Sequence, residues 1–237
     1  MLSIIIPAYN EEELLPATLS AARQAIADSG ISCEIIVADD RSSDQTAQIA
    51  REMSVTVCHA NCRQIAGARN AGARAAKGDV FLFVDADTLI TSESLIAVHD
   101  AIEQGATGGG TKIEFDRPCP LWARLMIKPM MILYPLLGLA SGAFLYCTRD
   151  AFEKIGGFDE SYYAAEEAIL SRAIGKHGRF VFHKTPVVTS SRKIRTYSGF
   201  EMIRLIMIML VGGHRWAKSR KGKGIWYDER RSDTKQD

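Results

Sequence analysis

The chain has 237 residues, 47% hydrophobic and 24% charged, with 29 basic against 28 acidic side chains and a net charge of +1. That composition excludes collagen-like, low-complexity and largely disordered classes, and the charge balance excludes a protein uniformly coated in basic residues for nucleic acid. The balance is an average: residues 1–191 hold 17 basic and 23 acidic side chains, net −6, whereas residues 192–237 hold 12 and 5, net +7.

Apolar runs of strand length alternate with segments of helical period from the start. The pattern predicts strands at Ser3–Ile6, Glu34–Ala38, Val55–Cys58 and Val80–Val84, interleaved with helices at Leu14–Ala27, Ser43–Glu52, Gln64–Ala76 and Ser92–Gln104. Such alternation means right-handed crossovers and a parallel sheet covered on both faces, with ligands beyond the carboxyl ends of the strands. After Gly105 the rhythm changes. Gly108–Gly110 lead into a strand through Phe115, and the uncharged stretch Pro129–Cys147 follows, interrupted by Pro135, Gly138, Ser141 and Gly142. Those breakers favour an interfacial or buried segment feeding a strand over a membrane span, which needs about 20 apolar residues. A strand at Ala143–Cys147, helices at Arg149–Ile155 and Ala165–His177, and extended pieces at Phe180–His183 and Val187–Thr189 come next. An apolar helix over Phe200–Val211, broken only by Glu201 and Arg204, precedes a polar, basic end from His214.

LSIIIPAY has no basic leader and meets Pro7, so no secretory signal is expected. Of the five cysteines, Cys33, Cys58, Cys62, Cys119 and Cys147, two flank His59, but no second pair completes a zinc set. They read as reduced thiols, which fits a cytosolic compartment.

The chemistry gathers at strand ends. Asp85-Ala86-Asp87 follows the strand VFLFV, and two carboxylates there suit magnesium or manganese, which take one or two such ligands plus substrate phosphates. The competing reading is helix capping. Pro7-Ala8-Tyr9-Asn10-Glu11-Glu12 closes the first strand and Asp39-Asp40-Arg41-Ser42-Ser43-Asp44 the second. A tyrosine can stack on a nucleobase and carboxylates can accept from base N–H or ribose hydroxyls, while Ser43 and Asp44 also suit plain turn chemistry. No G-x-G-x-x-G or Walker loop follows the first strand, so phosphate binding must lean on metal and arginine.

SIIIPAYNEE, IIVADDRSSDQT, GARNAGARAAKGDVFLFVDADT and SGAFLYCTRDAFEKIGGFDESYYAAEEAIL, in this order and spacing over Ser3–Ser171, resemble the family 2 glycosyltransferases. The resemblance implies a GT-A-like, Rossmann-type α/β fold: a mostly parallel sheet flanked by helices, with a C-terminal acceptor-side subregion and a helical tail. It implies a glycosyltransferase domain over 1–191, split into a nucleotide-sugar-binding half (1–104) and an acceptor and catalytic half (105–191), with 192–237 as basic loop, apolar helix and basic tail. Pro7, Ala8, Tyr9, Glu11 and Asp40 would line the nucleoside pocket with Asp39 beside them. Asp85 and Asp87 would serve ribose, diphosphate and a manganese or magnesium ion, and Arg69 would flank the nucleotide. Glu166-Glu167 stands where the family most often has Glu-Asp, so Glu167 is expected as general base of an inverting transfer, with Glu166 beside it. Uridine is the base favoured by the resemblance.

Arg192, Lys193 and Arg195 in SSRKIRTY fit either a mobile loop folding over the diphosphate or a solvated basic loop. His183 reads as hydrogen-bonded rather than metal-binding. Methionines at 126, 130, 131, 202, 207 and 209, followed by Arg215, Lys218, Arg220, Lys221 and Lys223 with Trp216 and Trp226, fit either core or homodimer packing or peripheral contact with an anionic membrane. Such contact would place the protein on the inner face of the cytoplasmic membrane and suit a lipid-linked acceptor; otherwise a soluble sugar acceptor is expected. A nucleotidyltransferase, or a non-catalytic nucleotide-sugar-binding or scaffold protein, is the alternative function.

Overall fold

The computed structural model describes residues 1–196 and, beyond them, 199–201, 204, 208, 213 and 215–220, without the side chains of Met130 and Lys193. Most of the helix expected over Phe200–Val211, with Met202, Met207, Met209, Lys221, Lys223 and Trp226, lies outside the described residues.

Eight strands form one sheet: β1 Leu2–Ala8, β2 Cys33–Asp39, β3 Thr56–His59, β4 Val80–Val84, β5 Thr88–Leu89, β6 Ala106–Phe115, β7 Phe144–Thr148 and β8 Arg179–Thr189. Their order is β3-β2-β1-β4-β7-β6-β8-β5. The pairs β1–β2, β1–β4, β2–β3 and β6–β8 are parallel, and β7 and β5 run against their neighbours. The helices are α1 Leu15–Ser29, α2 Thr46–Glu52, α3 Ile65–Ala75, α4 Ser92–Glu103, α5 Leu121–Leu136, α6 Arg149–Ile155, α7 Glu166–His177 and α8 Arg192–Thr196.

β1 is buried at every position, as a central strand of Ile4-Ile5-Ile6 must be. Alternation sends Ile4 and Ile6 into one core with Leu15, Leu19, Leu95 and Val98 of α1 and α4, and Ile5 into the other. That second core holds the ring cluster Phe81, Phe83, Phe152 and Phe158, with Phe83 and Phe158 edge-to-face at 4.9 Å. α3 lies close on the sheet because Gly72 carries no side chain: a Cβ there would stand 2.3 Å from Ile5 Cγ2. α3 can therefore hold its polar residues against the strand ends.

The expected alternation through α4 is present, with boundaries shifted by at most three residues. Four elements differ. β5 is an additional two-residue strand. The stretch around Pro129 and Pro135 belongs to the continuous helix α5. The two extended pieces either side of Pro186 are one strand, β8, paired with β6 through register shifts at Ala106/Gly108 and Thr111/Ile113. Residues 192–196, read as loop, form one helical turn. His183 is half-buried, stacked on Tyr146 and within 2.8 Å of its hydroxyl. Burial lowers its pKa. All five cysteines are free.

Candidate active site

The loops closing β1 and β2 are stitched together. The N–H of Asn10 donates to Ser42 Oγ at 3.0 Å, and Asn10 Oδ1 accepts from the N–H of Ser43 at 2.8 Å. The Glu11 N–H donates to Thr46 Oγ1 at 2.7 Å and the Gln45 N–H to Glu12 Oε2 at 2.9 Å. Asn10 sits at φ 51°, a left-handed conformation that asparagine tolerates. Above this platform the Arg63 guanidinium lies 3.7 Å from the Tyr9 ring centroid.

Asp39 and Asp40 diverge. Asp39 accepts from the Ser42 N–H at 3.3 Å and stands 3.5 Å from His59 Nδ1. Asp40 accepts the N–H groups of Cys62, Arg63 and Gln64 at 2.8, 2.7 and 2.7 Å. That carboxylate ties down the turn that enters α3 and lies at the positive end of the helix dipole.

The Asp85-Ala86-Asp87 turn is pinned from both sides. Thr18 Oγ1 donates to the Ala86 carbonyl at 2.8 Å, and the Ser190 N–H to the Asp87 carbonyl at 3.1 Å. The two carboxylates then meet different cations. Asp85 Oδ1 accepts from Arg69 Nη2 at 3.0 Å. Asp87 lies 3.8 Å from Arg192 Nη2, which also reaches Glu11 Oε2 at 3.3 Å. Arg192 thus already stands among the strand-end acids, while Arg195 is turned to Ser191 and to Asp116, 3.6 Å away.

Arg69 is the hub. It is 1% exposed, and its Nη1 donates to Glu166 Oε1 at 2.8 Å while Nη2 also donates to the Gly142 carbonyl at 3.1 Å. Its Nε is the single buried side-chain polar atom without a partner among the described residues. Space for the guanidinium depends on Gly142, where a Cβ would stand 2.6 Å from Nη2. The adjacent Asn70 exchanges hydrogen bonds with the Phe158 backbone, both at 2.9 Å, and donates to Glu160 Oε1 at 2.8 Å. Gln64 Nε2 donates to the carbonyls of Glu160 and Tyr162. One face of α3 therefore fixes the loop from which α7 starts.

α7 begins at Ala165, whose φ of 62° is left-handed and carries a strain of about 1–2 kcal/mol. That turn directs Glu166 inward to Arg69, and the next side chain, Glu167, is in no ion pair among the described residues. Burial, reinforced by the Glu166 charge and by Asp85, lifts the Glu167 carboxyl well above the ordinary carboxylate range, with Arg69 pulling the other way. Nearby, burial and the Glu167 charge push the Tyr134 hydroxyl of α5 up to about 12.

Two groups of expected residues are thus brought together, Glu11–Asp87–Arg192 and Asp85–Arg69–Glu166–Glu167, while Tyr9 lies under Arg63 and Asp39, Asp40 and Arg195 are held by other partners. Sequence reasoning missed Gln64, Asn70 and Gly142; the ARN tripeptide pointed at the place, but only the fold shows that its second and third residues hold the loop and the acidic pair.

The sequence model described as Glycosyl transferase family 2 matches residues 3–156. An undecaprenyl-phosphate 4-deoxy-4-formamido-L-arabinose transferase of Pectobacterium carotovorum is 31% identical over 139 residues, 55% of this chain and 42% of that protein. The matched stretches span about a quarter to two fifths of the length of such curated relatives. Among solved structures, the mannosyltransferase PcManGT from Pyrobaculum calidifontis in complex with GDP-Man and Mn2+ superposes with a TM-score of 0.70 at 18% identity, covering 95% of this chain and 66% of that one. S. aureus TarS 1–349 in complex with UDP-GlcNAc gives 0.66 at 19% identity, covering 90% and 67%. These likenesses bear out the expected GT-A-like α/β fold.

Proposed function

The chain belongs to glycosyl transferase family 2, and from that premise we propose that it transfers a sugar from a nucleotide-sugar donor to an acceptor hydroxyl with inversion, using Glu167 as general base. The observation that carries this reading is the contrast between the two neighbouring glutamates. Glu166 is ion-paired with Arg69, whereas Glu167 is in no ion pair among the described residues and has a raised pKa, the property of a carboxylate that must take a proton near neutral pH.

Pro7, Ala8, Tyr9 and Glu11 would bind the nucleoside, the base lying against the Tyr9 ring that Arg63 now covers. Asp39 stands beside them, and Asp40 shapes the pocket through the loop it holds. The bound UDP-GlcNAc and GDP-Man of the two neighbours support a nucleotide-sugar donor, and uridine is the base that the family resemblance favours. Asp85 and Asp87 would offer magnesium or manganese hard carboxylate oxygens at a strand end, with the remaining positions left for diphosphate and water. When bound, such an ion supplies charge compensation for the departing diphosphate.

The chain's own groups account for the rest. A Glu167 oxygen takes the proton of the acceptor hydroxyl. The acceptor's hydroxyl oxygen forms its bond to the anomeric carbon on the face opposite the diphosphate, and the electron pair of the breaking bond leaves on the diphosphate. Arg192, between Glu11 and Asp87, would meet the charge that leaves, and Lys193 would add positive potential from the same segment. Arg69 keeps Glu166 and Asp85 from repelling one another, which holds the base and donor sides in register. The undecaprenyl-phosphate in the name of the Pectobacterium relative supports a lipid-linked acceptor, and with it peripheral contact with the inner face of the cytoplasmic membrane.

Release of nucleoside diphosphate from a panel of UDP- and GDP-sugars with manganese, over lipid-linked and free sugar acceptors, tests the reading. Wild-type protein should turn over at least one pair, and Glu167→Gln should bind the donor without turnover. Normal turnover by Glu167→Gln removes Glu167 from the role, and donor binding without turnover by the wild type with every acceptor favours a non-catalytic binding protein.

A further inference from the structure

α5 presents an apolar face that nothing in the described fold covers. Leu121, Leu125, Ile132, Leu133, Leu136 and Leu137 at its C-cap are each between 49% and 76% exposed. At 100° per residue, Leu121, Ile132, Leu125 and Leu136 fall within a narrow arc of the helix. Arg124 and Lys128 are exposed along one edge of that arc. No acidic residue occurs between Asp116 and Asp150. Phe200, 77% exposed, follows Gly199, whose backbone lies against the Trp122 ring of α5 and so extends the apolar surface.

We infer that this face is a membrane-docking surface, lying in the headgroup layer of an anionic bilayer with its leucines in the acyl boundary and Arg124 and Lys128 on lipid phosphates. Charge selects this occupant over the two others. A second copy seated by two-fold symmetry would set Arg124 and Lys128 against their own duplicates. The chain's own residues 197–214, with one glutamate and one arginine, offer no net charge to Arg124 and Lys128, and residues 215–237, net +4, would bring positive charge onto a positive edge. An anionic surface complements both at once. The helix lies on the bilayer rather than crossing it: 16 residues reach only about 24 Å, short of the ~30 Å hydrocarbon core, and no described helix is long and apolar enough to span.

The opposite side of the same helix faces the chemistry. Tyr134 feels the charge of Glu167, and beyond the helix the Ala140 N–H donates to Ser171 Oγ, which donates to the Glu167 carbonyl. A head group at the bilayer surface would therefore reach Glu167 along α5. This last point rests on the proposed transfer reaction; the docking itself does not.

Co-sedimentation with phosphatidylglycerol/phosphatidylcholine vesicles tests the surface. The intact chain should bind at low salt and lose affinity as salt rises. Leu125→Glu/Leu136→Glu should weaken binding at least tenfold, and Arg124→Glu/Lys128→Glu should abolish the preference for anionic over neutral vesicles. Light scattering and donor-induced thermal shift, run on the same samples, should show all forms as monomers with wild-type donor binding. Absence of binding by the intact chain, equal binding by the leucine variant, or a dimer that the leucine variant dissolves would each overturn the proposal. Failure of donor binding in every form, with vesicle binding intact, would instead sink the transferase reading and leave the docking surface standing.

Discussion

Arg69→Met removes the guanidinium while keeping much of the stem. In the native fold that group is 1% exposed and joins Asp85 at 3.0 Å to Glu166 at 2.8 Å, two carboxylates from segments 81 residues apart. Breaking a buried ion pair by deleting one partner costs about 3–5 kcal/mol, because the survivor is left charged and uncompensated. For a chain of this size each kcal/mol moves the midpoint by roughly 2–4 °C, so a fall of roughly 6–20 °C is expected. Glu166→Gln in the Arg69→Met background should recover part of the loss, giving a coupling of about 1–3 kcal/mol in the double-mutant cycle. Differential scanning fluorimetry of the four proteins at pH 7 measures it. A drop below 2 °C, or strict additivity, would refute the view that Arg69 is the electrostatic tie between the donor and base sides.

Glu167→Gln should lower turnover by about 10²–10⁴ and yet raise the midpoint at neutral pH. A folded-state pKa raised above the unfolded value penalises folding above the unfolded pKa of about 4.3, so the advantage of glutamine should grow as pH rises and vanish in acid. For the same reason, kcat/KM of the wild type should rise with pH along a limb above the ordinary carboxylate range; a limb near pH 4 would contradict the base assignment. Gly142→Ala puts a methyl 2.6 Å from Arg69 Nη2 and should cost about 1–3 kcal/mol with loss of activity, read by fluorimetry and assay together. Arg192→Ala should raise the donor KM roughly tenfold or more, the equivalent of one charge-assisted hydrogen bond, while leaving the pH limb of Glu167 unmoved.

The half of the fold through α4 was legible because each strand and helix carries its own period and is cut off by polar turns. α5 was not. Pro129 and Pro135 read as breakers, yet both lie within the helix. β5 is two residues long and exists because β8 pairs with it, a partner about a hundred residues away that no local pattern announces. The acidic strand ends and the glutamate pair were legible as residues but not as a network. Arg69 sits in an alanine-rich helix, and only the close approach at Gly72 and the gap at Gly142 bring it beneath both acids. Asp40 was legible as a strand-end carboxylate, but not its three backbone partners in the turn that enters α3, more than twenty residues on.

The central claim is that the strand ends of β1, β2 and β4 bind a nucleotide-sugar. Calorimetric titration of UDP- and GDP-sugars into the intact chain, with and without manganese, tests it most directly. Saturable binding of at least one donor is expected, tightened by manganese, weakened by Asp87→Asn and by Arg192→Ala, and retained in Glu167→Gln. No heat of binding from any nucleotide-sugar or nucleoside diphosphate, with the protein folded and manganese present, would contradict it.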